Sequence, residues 1–388
     1  MARLDEIFHL QMGKTPLRNN SEYWTNGKYR WVSISDLGTY QKYTSDTKEK
    51  ITDLAVCESG IKCVPQNTVI MSFKLSLGKT AITKEPIFTN EAIMAFIPTG
   101  KFEVLPDYFY YLFSGKDWSK ETNRAVMGST LNKATLGGIS VIVPPLEEQR
   151  KIAAVLDKVS DLIAKRRQQL EKLDLLVKAR FTEMFGDMMQ NPKEWSCRPL
   201  EEMAGIVSGI TKGRKTKEND LIEVPYMAVS NVKDGYIDWT TIKTILATRS
   251  EIEMYRLMPN DVLMTEGGDP DKLGRGAIIY APLENCIHQN HIFRVRLNAT
   301  ILLPIYFSEF LKHQRAKQYF LRCAKQTTGI ASINMRQLKG LPTLVPPIEL
   351  QNQFADFVEQ VEKTKTSIKE SLTKLETLKK ALMQEYFG

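Results

Sequence analysis

Gly138-Ile139-Ser140-Val141-Ile142-Val143-Pro144-Pro145-Leu146-Glu147-Glu148-Gln149 returns as Gly340-Leu341-Pro342-Thr343-Leu344-Val345-Pro346-Pro347-Ile348-Glu349-Leu350-Gln351. The offset, 346 − 144 = 202, holds without a gap to Phe185-Gly186 and Phe387-Gly388. After each Pro-Pro pair the apolar residues fall four and three apart. In the first copy they are Ile152, Leu156, Val159, Ile163, Leu170, Leu173, Val177 and Met184. In the second they are Phe354, Val358, Val361, Ile368, Leu372, Leu375, Leu382 and Tyr386. This heptad stripe predicts one long helix per copy with a seam that pairs with another helix. Proline tolerates the first helical turn and discourages helix before it, so Pro-Pro marks each start.

Cations interrupt the stripe in alternate heptads, and in different heptads of the two copies. Arg166 and Arg180 stand opposite Ile368 and Leu382; Lys365 and Lys379 stand opposite Ile163 and Val177. Either they snorkel at the edge of the seam, or they set its register by meeting acidic groups on the facing helix. Two like modules in one chain suit a pseudo-twofold axis, which makes the helices antiparallel. About 38 residues at about 1.5 Å each give a rod of about 57 Å.

The repeat reaches, more faintly, into the segments ahead of the helices. Trp31-Val32-Ser33-Ile34-Ser35-Asp36-Leu37 matches Tyr226-Met227-Ala228-Val229-Ser230-Asn231-Val232, and both read as alternating strands. Leu77-Gly78-Lys79-Thr80-Ala81-Ile82 matches Leu273-Gly274-Arg275-Gly276-Ala277-Ile278, and Asn132 with Leu136 matches Asn334 with Leu338. Further strands are expected over 68–72, 278–280 and 291–297, and helices over 107–113 and 305–323. The chain is therefore read as two small α+β domains, 1–143 and 187–345, separated by two long antiparallel coiled-coil helices, 144–186 and 346–388.

The net charge of +8 admits nucleic acid or an anionic surface as a partner. No run of eighteen apolar residues and no apolar core near Met1 predicts a membrane span or a leader. Five scattered cysteines (Cys57, Cys63, Cys197, Cys286, Cys323) suit a reducing cytoplasm and not a disulfide framework.

The Pro-Pro-Leu-Glu-Glu-Gln-Arg-Lys-Ile run at 144–152, its helix and its second copy at Pro346 resemble the specificity subunit of Type I restriction–modification enzymes. Gly13-Lys14-Thr15-Pro16 and the Gly128-Ser129-Thr130 turn add to the likeness, which covers essentially the whole chain. The second segment departs from the opening motif: Ser208-Gly209-Ile210-Thr211-Lys212 lacks the proline. The resemblance implies that each globular segment is a target recognition domain reading half of a split, asymmetric site in double-stranded DNA. It implies that the helices fix the unread gap and dock two methyltransferase subunits, which carry S-adenosylmethionine and methylate adenine. Motor-nuclease subunits could join for cleavage. No cofactor, metal or membrane is expected for this chain itself.

Phosphate contacts need Lys and Arg at places where the backbone approaches closely. The densest loop is Lys212-Gly213-Arg214-Lys215-Thr216-Lys217, and its counterpart in the first segment holds Lys14, Arg18 and Asn19. Lys79 and Arg275 share one repeat position beside a glycine; Lys74 and Lys272 lie nearby. Each could equally be a solvated loop or a plain hairpin tip. Tyr23, Trp24, Tyr40 and Trp239 read more readily as core than as stacking platforms.

No catalytic constellation is found. Gly78-Lys79-Thr80 and Gly13-Lys14-Thr15 lack the earlier glycine of a P-loop, Phe73 and Phe8 standing there. Asn191-Pro192-Lys193 and Asp269-Pro270-Asp271 do not fit the Pro-Pro-aromatic loop of an adenine methyltransferase. Cys286, His288 and His291 offer three ligands where a structural zinc needs four. His288, Gln289 and Asn290 could instead border a DNA-facing strand. Three classes stay open on residues alone: a bipartite DNA reader, an enzyme with disguised motifs, and a coiled-coil adaptor with no DNA role.

Overall fold

The computed structural model describes residues 1–74, 76–118, 131–214, 220–269, 273–327 and 330–388. The chain packs as two compact units. One comprises 1–167 with 369–388, the other 168–368. Each therefore holds one globular segment and part of both long helices, Leu146–Phe185 and Ile348–Phe387. At 40 residues each helix is about 60 Å long.

The globular part of the first unit is built on an antiparallel sheet ordered Phe8–Met12, Ile93–Pro98, Val69–Ser72, Thr80–Ile82. A second sheet has Tyr29–Val32 at its centre, antiparallel to Glu49–Ile51 and parallel to Phe88–Thr89. The second unit repeats both. Its four strands are Ala204–Ser208, Ile292–Leu297, Asp261–Thr265 and Gly276–Ile279. Its three are Lys243–Ala247, Ile222–Met227 and Ile287–His288, with the same directions. Register is kept as well: Val32 faces Thr89, and Met227 faces His288. Among the described residues the second unit also has a small sheet of Gly267–Gly268, Ile330–Ser332 and Lys325–Thr327.

Three expected elements take another form. The strands at Trp31 and Tyr226 end at Val32 and Met227, and short helical turns follow, Ile34–Leu37 and Val229–Asn231. Asp36 and Asn231, both buried, accept from the backbone N–H of Ser33 (3.0 Å) and Ala228 (2.9 Å). That capping geometry outcompetes a continued ladder. The single helix expected over 305–323 is two, Pro304–Lys312 and Gln314–Cys323. His313 is extended between them, and its ring accepts from the Arg315 N–H (3.3 Å), capping the second. The other helices begin as their sequences ask: Asn132 and Asn334 cap 133–138 and 335–339 through bonds to Thr135 N (2.7 Å) and Gln337 N (2.9 Å).

Within each unit the two long helices run antiparallel. In the second, Asp174 meets Lys365 (2.6 Å) and Phe181 meets Phe354 at a ring separation of 5.4 Å. In the first, Arg167 meets Glu376 (2.6 Å), and Leu382, Met383 and Tyr386 pack on the core that holds Ile152 and Leu156. The seam follows the heptad stripe. Leu156, Val159, Ile163, Val177 and Val361 are buried, and Leu170, Leu173, Val358, Ile368, Leu372, Leu375 and Leu382 are half-buried. Of the cations on the stripe Lys365 meets an acidic group on the facing helix, whereas Arg180 pairs along its own helix with Glu183. Lys365 pairs across the seam with Asp174 and along its own helix with Glu362, each at 2.6 Å, leaving its side chain 12% exposed.

No helix of the described residues is long and apolar enough to cross a membrane.

Candidate nucleic-acid interface

Two backbone features bring the nominated cations into place, and both occur once per unit. The first is a crossing. A Cβ on Gly13 would lie 2.3 Å from the Thr89 and Asn90 carbonyl oxygens; one on Gly209 would lie 1.9 Å from that of His288. Only glycine lets these chains pass. Beyond it Lys14 N–H donates to Thr89 O (2.8 Å), and Ile210 N–H to His288 O (2.8 Å). The second unit thus keeps the crossing while lacking the proline.

The second feature is a hairpin tip. Gly78 (φ 81°) and Gly274 (φ 73°) adopt the left-handed conformation. A Cβ there would strike the ring of Trp118 in the first unit (2.7 Å) and of Phe320 in the second (2.2 Å). An aromatic lid and a left-handed glycine together fix the residue that follows, Lys79 or Arg275. Lys79 is exposed, with Nζ against Gly38. The Arg275 Nε is buried and has no hydrogen-bond partner among the described residues. Arg275 lines a cavity of about 270 Å³ with Lys312 and Lys317. The Nε–H is a free donor beside the ammonium of Lys317, while Lys312 is paired with Glu309 and the Asp234 carboxylate shares the same wall.

The other nominated residues divide. Lys14 and Lys212 are exposed, and neither has an ion-pair partner among the described residues. Lys74 is half-buried over the Phe73 ring (5.2 Å). Arg18 and Arg214, four residues beyond Lys14 and Ile210, are tied down within their own units. Arg18 binds Glu49 (2.6 Å) and stacks over Trp24 (4.0 Å). Arg214 binds both carboxylate oxygens of Glu251 and the Leu246 carbonyl, and its bonds hold the Glu251 carboxyl below the usual glutamate range. Arg214 is largely occupied within its unit, whereas Arg18 is half exposed in a surface pair that contributes little and that a phosphate could replace. Lys215, Lys217, Lys272, Thr216, the 128–130 turn and Pro270-Asp271 lie outside the described residues.

The aromatics serve the core. Tyr23 is buried and donates to Glu58 (2.6 Å); Trp24 packs edge-on against buried Trp31; Tyr40 and Trp239 are half-buried against apolar clusters. The His288 ring points into the unit and not to the surface. It is fully buried, its ring nitrogens lie at 3.0 and 3.3 Å from the Tyr255 and Val207 carbonyls, and burial pushes its pKa down to about 4. Cys286 is buried and His291 pairs with Glu266 (2.6 Å), so the run does not converge as a ligand set.

The family described as Type I restriction modification DNA specificity domain matches residues 1–173 and 192–379. The chain belongs to that family. It is 28% identical over 254 residues to the Type I restriction enzyme MjaIX specificity subunit of Methanocaldococcus jannaschii, a match covering 61% of this chain and 58% of the relative. The chain spans about half the length of the curated relatives it matches. In fold it is similar over its whole length to the Type I restriction–modification S subunit of M. genitalium, with a TM-score of 0.58, 14% identity and 95% of that chain covered. A structure described by the complex assembly and conformational transition of the type I R-M system gives a TM-score of 0.62, 16% identity and 96% coverage of that chain.

In this specificity-domain chain the glutamine of each Pro-Pro motif has a function that the sequence reading left unassigned. Gln149 and Gln351 are fully buried. Gln149 accepts from Leu105 N–H (2.9 Å) and donates to Glu103 O (2.9 Å) and Pro144 O (2.8 Å). Gln351 accepts from Leu303 N–H (2.8 Å) and donates to Ile301 O (3.0 Å) and Pro346 O (2.8 Å). One amide thus locks the start of the long helix to the entry of the globular helix at Pro106 or Pro304. The signal was present: a glutamine kept at the same offset in both copies, where an exposed position would have drifted.

Proposed function

We propose that the chain is a non-catalytic adaptor of a Type I restriction–modification complex. Each unit reads one half of a split site in double-stranded DNA, and the paired helices set the gap and dock two methyltransferase subunits. Those subunits would carry S-adenosylmethionine, and motor-nuclease subunits would join them for cleavage, in the cytoplasm. The observation that carries the reading is the repeated hairpin. Both units present a cation after a left-handed glycine under an aromatic lid, at one place in one frame, while the loops around it differ. A shared cation suits phosphate, which is alike at both half-sites; divergent loops suit bases, which are not.

The test is binding of the chain, with its methyltransferase partners, to DNA of the mapped methylation site across a salt series. Lys79→Ala and Arg275→Ala should each weaken binding on all sequences and lower the salt slope by about one. Unchanged slopes would remove the phosphate assignment. Methyl transfer by the purified chain alone would overturn the adaptor reading. Removing one heptad from each helix should shorten the gap and leave both half-sites as they were; altered half-sites with an unchanged gap would refute the ruler.

A further inference from the structure

The two units differ most sharply at a notch between the globular helix and the long helix. In the first unit the notch is filled from within. Lys42 leaves the loop after Leu37, its carbonyl accepting from Ile82 N–H (2.8 Å). Its ammonium pairs with Asp107 (2.6 Å) and with Asp157 on the long helix, and its side chain is only 16% exposed. Tyr43 donates to Asp107 (2.9 Å) and Tyr111 to Asp157 (2.6 Å). Burial opposes the charge, yet the bonds to the two carboxylates outweigh it and hold the Lys42 pKa above the usual lysine value.

The second unit has the same notch without a lysine from that loop; among the described residues the one ammonium lining it is that of Lys312, from the globular helix, paired with Glu309. The helix offset of 202 carries Asp157 to Glu359 and Ser160 to Glu362; the offset from Pro106 to Pro304 carries Tyr111 to Glu309. The loop that would supply the lysine closes early. Val232 bridges Ile237, Lys233 N–H donates to Tyr236 O (3.0 Å), and Gly235 is left-handed (φ 83°). Ile237, at the offset of 195 that aligns Trp31 with Tyr226, turns into the core beside Val232. A cavity of about 590 Å³ remains, with Ile278, Ile305 and Val358 among its wall and Glu309, Asp356, Glu359 and Glu362 around it. Glu309 and Glu362 are paired with Lys312 and Lys365. Asp356 has no ion-pair partner among the described residues, and Glu359 holds only an exposed pair with Lys363, which contributes little.

We propose that this notch of the second unit receives a lysine or arginine side chain from a basic segment of a protein partner. The first unit supplies the precedent at one position: Asp157, which holds the Lys42 ammonium, corresponds to Glu359, whereas its other partner, Asp107, corresponds to Ile305 of the apolar wall. Asp356 and Glu359, the carboxylates without a shielded partner, favour a cation over a DNA phosphate. No group of three or more His, Cys, Asp or Glu that could hold a metal occurs among the described residues, so a side-chain cation fits where a chelated ion does not.

The probe is the hexapeptide Thr-Tyr-Gln-Lys-Tyr-Thr, the sequence of 39–44, added to the full chain with methyl groups labelled for NMR. It should shift the Ile278, Ile305 and Val358 methyl signals saturably at low salt. The same peptide with alanine for lysine should not. Asp356→Asn with Glu359→Gln, both at the rim, should weaken binding about five- to tenfold without disturbing other signals. The proposal is overturned by absence of saturable shifts, by equal binding to the double variant, or by magnesium alone producing the same shifts. None of these outcomes bears on DNA reading, which the hairpin variants test separately.

Discussion

The glutamine junctions and the lysine notch lie on the same pair of helices, a few residues apart, and the two units treat them in opposite ways. At Gln149 and Gln351 three hydrogen bonds agree in partner and in length to within 0.1 Å. At Lys42 a buried cation sits between two carboxylates, where the second unit has an open acidic cavity. The difference lies in what a loss would cost. A buried N–H and two carbonyls have no water to fall back on, so either copy without its glutamine would be damaged. A charged notch open to solvent is satisfied by water, and one copy could shed its lysine without collapse.

The largest test of that contrast is Gln149→Leu and Gln351→Leu. Each strands three buried polar groups, and about 3–5 kcal/mol of unit stability should go, equally in both units. Opening free energies from hydrogen exchange would resolve the units. A loss below about 1 kcal/mol in either would show that its junction is replaceable.

A second test uses acid. His288 faces Met227 where Thr89 faces Val32, so only the second unit buries an imidazole there. Its pKa is depressed from 6.5 to about 4. The unfolded chain therefore takes up the proton first as pH falls. The stabilisation is complete above 6.5 and drains by about 1.4 kcal/mol per pH unit toward about 4. The second unit should weaken from pH 6.5 to 5 more steeply than the first; parallel loss in both units would remove His288 as the cause.

The smallest test sets Arg214→Ala against Arg18→Ala. The Arg214–Glu251 pair is about 80% shielded and that of Arg18 about half. Losses of about 1–2 kcal/mol and under about 1 kcal/mol are expected from urea denaturation. Glu251 is held below its ordinary 4.5, so its contribution is present above that pH and is lost as pH falls further. The Arg214→Ala chain should be less sensitive to acid there. Equal losses for the two arginines would mean that shielding does not separate these pairs.

The helices were legible because a heptad period survives any loop and because two copies at one offset check each other. The antiparallel pairing followed from the same repetition. The turn after Val32 was not legible: Ser33 to Leu37 alternates as a strand does, and the buried Asp36 carboxylate that captures the Ser33 N–H shows only in three dimensions. The break at His313 was hidden for a related reason, since a histidine cap has no strong preference in sequence. Among the nominated cations, charge alone could not separate Arg214, spoken for by Glu251, from Arg275, whose Nε waits unsatisfied. Lys42 escaped notice because nothing in 38–46 shows that Asp107 and Asp157 converge on it.

The division of each long helix between the units has a consequence for biosynthesis. The second unit is one continuous run, 168–368, whereas the first needs 369–388 to complete it. A chain emerging from the ribosome can therefore finish its second unit before its first. Until 369–388 is made, the core around Leu156 lacks the cover of Leu382, and Tyr108 lacks that of Phe387. The half synthesised first is the half that closes last.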